Sequence, residues 1–179
     1  MPASERSPTA RLLAEGFPAL ASQLDEGELE ALAWELQVEH ARRNDEVHRQ
    51  GSTHPSLLFL LEGSFALRLG DEQTADQLGY LPEPTIVGEV SFFDGGPVTA
   101  TILVCSRTAL VLALEMEGFE RLVESHPRAA AVLCRFASET LAARLRKADQ
   151  RWDAVMGSPT LRSLRTLLRA LFGLGRSAA

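Results

Sequence analysis

Apolar positions along this chain change their period three times. Arg11-Leu-Leu-Ala-Glu, and then Leu20 through Val38, repeat every three or four residues, with Leu24, Leu29, Leu32, Ala33 and Leu36 on one face and Asp25 near a cap. That period predicts N-terminal amphipathic helices. From Val38 to Leu114 the texture becomes short apolar segments at intervals of about ten residues, punctuated by Gly51, Gly63, Gly70, Gly79, Gly88, Gly95 and Gly96, which predicts a small sandwich or jelly roll rather than strand-helix-strand units. Ser56-Leu-Leu-Phe-Leu-Leu-Glu-Gly63 is the strongest strand. Ser64 to Leu69 alternates, so that Phe65, Leu67 and Leu69 share one face and Arg68 points away. Thr101 to Cys105 and Ala109 to Leu114 supply a closing pair.

Beyond Glu117 the helical period returns. Phe119, Leu122 and Val123 mark a short helix, and His126-Pro127 places proline in a first helical turn, where its missing N–H costs nothing. A long helix follows to about Met156, striped by Leu133, Ala137, Leu141, Leu145, Ala148, Trp152 and Val155. At ~1.5 Å per residue it measures roughly 40 Å, more than one small roll covers. Residues 128–156 are therefore expected to join two copies as a homodimer. Gly157-Ser158-Pro159 ends the helix, and Thr160 to Phe172 sets Leu161, Leu164, Leu168 and Leu171 against Arg162, Arg165 and Arg169. The expected organisation is a disordered start over 1–10, one domain over 11–156, and a short basic amphipathic tail helix over 157–179.

Charge sharpens the division. The 179 residues carry a net charge of -6, which argues against nucleic-acid binding, since phosphate contacts demand clustered Lys and Arg. From Arg151 onward five arginines face Asp153 alone, so the tail holds +4 and the remainder -10. Such a tail packs on its own domain, docks in a partner's groove, or lies on an anionic membrane. Cys105 and Cys134 are too far apart for a disulfide framework, and no apolar run approaches the ~18 residues of a membrane span, so a soluble protein of the reducing cytoplasm is expected. His40, His48, His54 and His126 lack the clustering that metals require, and no Ser/His/Asp or Cys/His constellation is recognisable. The reading is of a protein that is not an enzyme, without catalytic residues or metal, whose histidines are surface or capping residues.

The stretch Ile86-Val-Gly-Glu-Val-Ser-Phe-Phe-Asp-Gly-Gly-Pro-Val-Thr-Ala-Thr-Ile102 places a glycine and a carboxylate ahead of a one-turn segment, a Gly-Gly-Pro turn and a strand. It resembles the phosphate-binding cassette of the cyclic nucleotide-binding domain, found in catabolite activators, kinase regulatory subunits and gated channels. The order of parts over residues 12–150 is similar throughout. The resemblance implies an α+β fold, an antiparallel β jelly-roll with N-terminal helices and a long C-terminal helix. It also implies roles: Gly88, Glu89, Val90 and Ser91 at the mouth of a short helix facing a cyclic phosphate, Glu89 accepting the ribose 2′-hydroxyl, Leu67 facing the purine, and Arg144 near the position that holds the base.

Val98-Thr99-Ala100 departs from the family at one residue. The family has arginine before the Ser/Thr-Ala pair, where its guanidinium pairs with phosphate, whereas here the side chain is an isopropyl group. Thr99 keeps a hydroxyl. Arg49 and Arg107 are other cations, not placeable near the pocket by sequence. The implied function is a non-catalytic regulatory module with weak or lost binding of cAMP or cGMP, without other cofactor, acting through contacts with an unknown protein partner in signal transduction. The alternative is a functional cAMP/cGMP sensor. A third reading, a transcription regulator of the activator type, lacks room for a full DNA-binding domain, because only 23 residues follow Met156.

Overall fold

The computed structural model describes residues 6–53, 55–70 and 76–156, with backbone only at 76–78 and 151–156. The expected tail helix over 157–179 lies outside the described residues, as do the side chains of Trp152 and Val155. The chain divides into compact units Met1–Ser138 and Glu139–Ala179. The first holds the helices and strands described next up to the early turns of the last helix; the described part of the second is the remainder of that helix.

Helix α1 (Pro8–Gly16) starts inside the stretch expected to be disordered. The reason is local: Ser7 Oγ accepts from Ala10 N at 3.2 Å, and Pro8 opens the first turn with its φ already set. Helix α2 (Pro18–Ala21) follows, then α3 (Glu26–Trp34). The single helix expected from Leu20 to Val38 is thus broken at Asp25. Asp25 accepts from Glu28 N and Glu28 accepts from Asp25 N, both at 2.9 Å, a reciprocal cap that starts a new helix. Leu36 to Val38 are strand rather than helix, since Leu36 pairs with Leu114 across the sheet.

The strands are β1 (Leu36–Arg42), β2 (Glu46–His48), β3 (Leu57–Glu62), β4 (Ser64–Leu69), β5 (Asp76–Pro82) and β6 (Thr85–Val87). After α4 (Glu89–Asp94) come β7 (Thr101–Val104), β8 (Thr108–Leu114), α5 (Met116–Ser125) and α6 (Pro127–Met156). They form two antiparallel four-stranded sheets, ordered β1-β8-β3-β6 and β2-β7-β4-β5. This is the mixed helix and antiparallel-strand roll that the sequence led us to expect.

The first sheet is covered on both faces, which explains why Leu57-Leu-Phe-Leu60 is a continuous apolar run instead of an alternating one. Leu57 and Phe59, with Leu112 and Leu114, meet Leu13, Phe17, Leu29, Leu32 and Leu133 of the helices. Leu58 and Leu60, with Val87, Val111 and Ala113, meet Phe65, Ile102 and Val104 of the second sheet. Phe59 is fully buried and stands edge-on to Phe17 with ring centroids 5.3 Å apart. No helix among the described residues is long and apolar enough to cross a membrane.

Candidate functional site

The turn between β6 and α4 forms where side chains would obstruct it. Gly88 has φ 88°, and a Cβ there would collide with the Ser56 carbonyl oxygen and come within 2.6 Å of His48 Cε1. Only glycine satisfies both the left-handed backbone and the space. The chain then turns into α4, closed at its far end by Gly95 with φ 70°. Ser91 Oγ donates to the Pro97 carbonyl at 3.0 Å, and Gly96 N donates to Asp94 Oδ1 at 2.7 Å, so the Gly-Gly-Pro return is tied back to the helix. Phe92, Phe93 and Phe119 stack edge-on with centroids 5.1 to 5.7 Å apart, joining α4 to α5.

Glu89 is buried at 4% exposure and Ser91 at 2%, whereas Val90 is part-exposed on the same helix. Leu67 is half-buried on β4 opposite Ile102, and Ile102 belongs to the interior of the roll. Val98 is 5% exposed and its backbone is paired: Val98 N donates to Ser52 O at 2.9 Å and Gly51 N to Val98 O at 2.8 Å. Ala100 is buried too, so Val98 and Ala100 continue the inward alternation of Ile102 and Val104. Thr99, between them, is exposed. Six of the nine residues singled out in the sequence, Gly88, Glu89, Ser91, Val98, Ala100 and Leu67, thus gather at the cassette and the roll interior, while Val90 and Thr99 face outward. Arg144 belongs to the second compact unit.

Of the cations named earlier, Arg49 lies just ahead of the Gly51–Ser52 segment that pairs with the Val98 backbone. Arg49 forms an exposed ion pair with Glu46 at 2.5 Å. Arg107 lies in the β7–β8 turn, its carbonyl accepting from Arg43 N, at the opposite end of β7 from Val98. Arg68 is opposite Thr101, just past a register shift in the β4–β5 pairing, and its Nε is buried with no hydrogen-bond partner.

One functional candidate escaped the sequence. His48 is buried at 6% exposure instead of lying at the surface. Its Nε2 lies 3.0 Å from Ser56 Oγ, and its Nδ1 is buried with no hydrogen-bond partner. Burial pushes its pKa below the ordinary histidine value. The ring packs on Gly88, where a Cβ would stand 3.4 Å from Nδ1. Strand β2 is only three residues long and its pairing with β7 shifts register between Glu46 and His48, so no alternation was available to assign the face. No group of three or more His, Cys, Asp or Glu suited to a metal occurs among the described residues.

The candidate site thus consists of an antiparallel roll with a glycine-opened helical turn, a buried carboxylate and hydroxyl, and a following helical pair. Residues 38–126 match the family model of the cyclic nucleotide-binding domain, and that segment is assigned to the family. The family's members are regulatory modules, not catalysts. No curated protein matches the chain. Among solved structures, it is similar to a cyclic nucleotide-binding domain from Methylobacillus flagellatus KT, with TM-score 0.71, 19% identity, and 80% of this chain and 83% of that one covered. It is similar to the catabolite activator protein of Thermus thermophilus, with TM-score 0.59, 26% identity, and 76% of this chain but 62% of that one covered. The regulatory domain of Toxoplasma gondii PKA, crystallised with cAMP, gives TM-score 0.58 and 22% identity over 73% of this chain and 49% of that one.

Proposed function

We propose that this chain is a regulatory module whose cassette retains its shape but has lost its strong anion contact, so that it binds cyclic nucleotides weakly at neutral pH and acts through contacts with other proteins. Val98 carries this reading. It is buried and backbone-paired at the position where the family has arginine, and it offers a cyclic phosphate only methyl groups. Forgoing a charge-assisted hydrogen bond forfeits ~1.5–3 kcal/mol, roughly ten- to a hundred-fold in affinity. The burial of Glu89 favours a second reading, a working cAMP or cGMP sensor, because a buried carboxylate suits a ribose hydroxyl.

Isothermal titration at pH 7.5 with cAMP and cGMP separates the two. The wild-type chain is expected to give no low-micromolar binding, and Val98→Arg to gain roughly ten-fold or more in affinity. Low-micromolar binding by the wild type would overturn the first reading in favour of the second. The module is further proposed to work as a homodimer through residues 128–156, a reading supported by Leu145, an apolar residue of the α6 stripe left 64% exposed.

A further inference from the structure

We propose that His48 is the missing cation of the cassette: a phosphodiester anion binds as His48 takes up a proton and donates a hydrogen bond from Nδ1, which makes this a proton-gated anion site. The inference rests on the reading that Val98 has removed the usual anion contact, and it adds which residue replaces it and under what condition.

The geometry has three parts. His48 is a basic side chain buried against Gly88, the residue that opens the cassette, and its Nδ1 is unpartnered while Nε2 is engaged by Ser56. An orphaned buried nitrogen is uncommon, because buried polar atoms normally find partners. Ser56 makes the change of charge feasible. Its hydroxyl donates to Nε2 when the ring is neutral with its proton on Nδ1, and accepts from Nε2–H when the ring is charged. In either state the Ser56 contact survives, and in the charged state Nδ1–H is a donor in need of an acceptor. A phosphate oxygen supplies both the acceptor and the countercharge.

The groups around the ring bear on the sign. From just ahead of β3 it meets the Ser56 hydroxyl, and from the cassette Gly88, with Glu89 next in the chain. From β7 it is opposite Ile102, which does not titrate. On its own strand Glu46 pairs with Arg49, the residue that follows the strand. Burial, the sole cause of its lowered pKa, keeps the free ring neutral near pH 7. Binding an anion reverses this preference, so ligand and proton bind together. By linkage, affinity rises as pH falls, by at most about tenfold per unit, from the pKa of the complex down to that of the free protein, and levels off below it.

The test is titration calorimetry of the full chain with cAMP and with cGMP between pH 8 and pH 5.5, over which their phosphodiesters keep one negative charge. Wild type, His48→Gln and Val98→Arg are compared, with circular dichroism confirming that each is folded. His48→Gln retains a group able to hydrogen-bond Ser56 but does not titrate. The wild type is expected to gain five- to tenfold in affinity per unit over part of the range, and His48→Gln to lose that dependence. As a second measurement, the His48 ring resonances should titrate at higher pH in the presence of the nucleotide than in its absence. A wild type that stays silent at every pH, a flat profile, or a slope that persists in His48→Gln overturns the proposal and leaves the weak-binding reading standing. Low-micromolar, pH-independent binding by the wild type overturns that reading as well.

Discussion

Gly88 shows how much one position decides here. Its φ of 88° and the close approach of Ser56 and His48 leave no room for a Cβ. Gly88→Ala is therefore expected to lower stability by about 2 kcal/mol or more, through backbone strain and displacement of neighbours that cannot yield freely. Chemical denaturation midpoints would check this, and an unchanged midpoint would mean that the turn relaxes elsewhere. Val98 and His48 are the complementary pair of residue-scale findings. The loss of an arginine at Val98 was legible as a break in an otherwise continuous motif. The basic group beside Gly88 was not, because a three-residue strand with a register shift carries no alternation from which to assign the direction of a side chain. The predicted gain from Val98→Arg and the predicted loss of pH dependence in His48→Gln act on separate atoms, so each can fail without the other.

At the scale of elements, the helices are joined by specific polar ties as well as by apolar faces. Glu28 accepts the capping hydrogen bond at the start of α3 and also pairs with Arg128 in the first turn of α6. Arg128 donates in addition to the Gln23 carbonyl at 3.2 Å, and Arg121 of α5 pairs with Glu35 at 2.7 Å just past α3. The Arg128 guanidinium, with the Asp25 backbone N–H next in effect, holds the Glu28 carboxyl below the usual carboxylate range. A carboxyl whose pKa is depressed by folding adds stability above its unfolded pKa, and loses it as pH falls through the folded value. Glu28→Gln keeps an acceptor for the cap but removes the charge. Its melting temperature should lie below that of the wild type at pH 7, and the gap should narrow on acidification toward pH 3; a gap independent of pH would exclude the ion pair as its cause. A cap near Asp25 was legible, but neither the break that makes α3 a separate helix nor its end was. Leu36 fits the helical period as well as it fits a strand, and only the pairing with Leu114 decides between them.

For the whole molecule, burial is arranged around one sheet clad on both faces. Phe59 of β3, fully buried in the cluster that this sheet shares with the helices, is the test of that arrangement. Phe59→Ala should cost about 3–5 kcal/mol, measured by denaturant unfolding. The α6 stripe makes the larger prediction. Leu133 and Ala137 are buried within the first unit, whereas Leu145 is 64% exposed. Light scattering at micromolar concentration is expected to give a dimer, which Leu145→Glu weakens; a monomeric wild type would remove the proposal. What the sequence by itself determined was the broad succession of helical, strand and helical segments, the long α6, the glycine-opened cassette and its departure from the family pattern at Val98. Period, caps and motif residues are properties of neighbours within a few positions, and they survive without knowledge of the fold. The tertiary structure alone decided where the helix yields to strand at Leu36, that Thr99 faces outward and that Arg107 stands at the far end of β7 from Val98. It alone brought His48, Ser56 and Gly88 together, because their contact depends on which distant strands pair and in what register, and no local pattern encodes that.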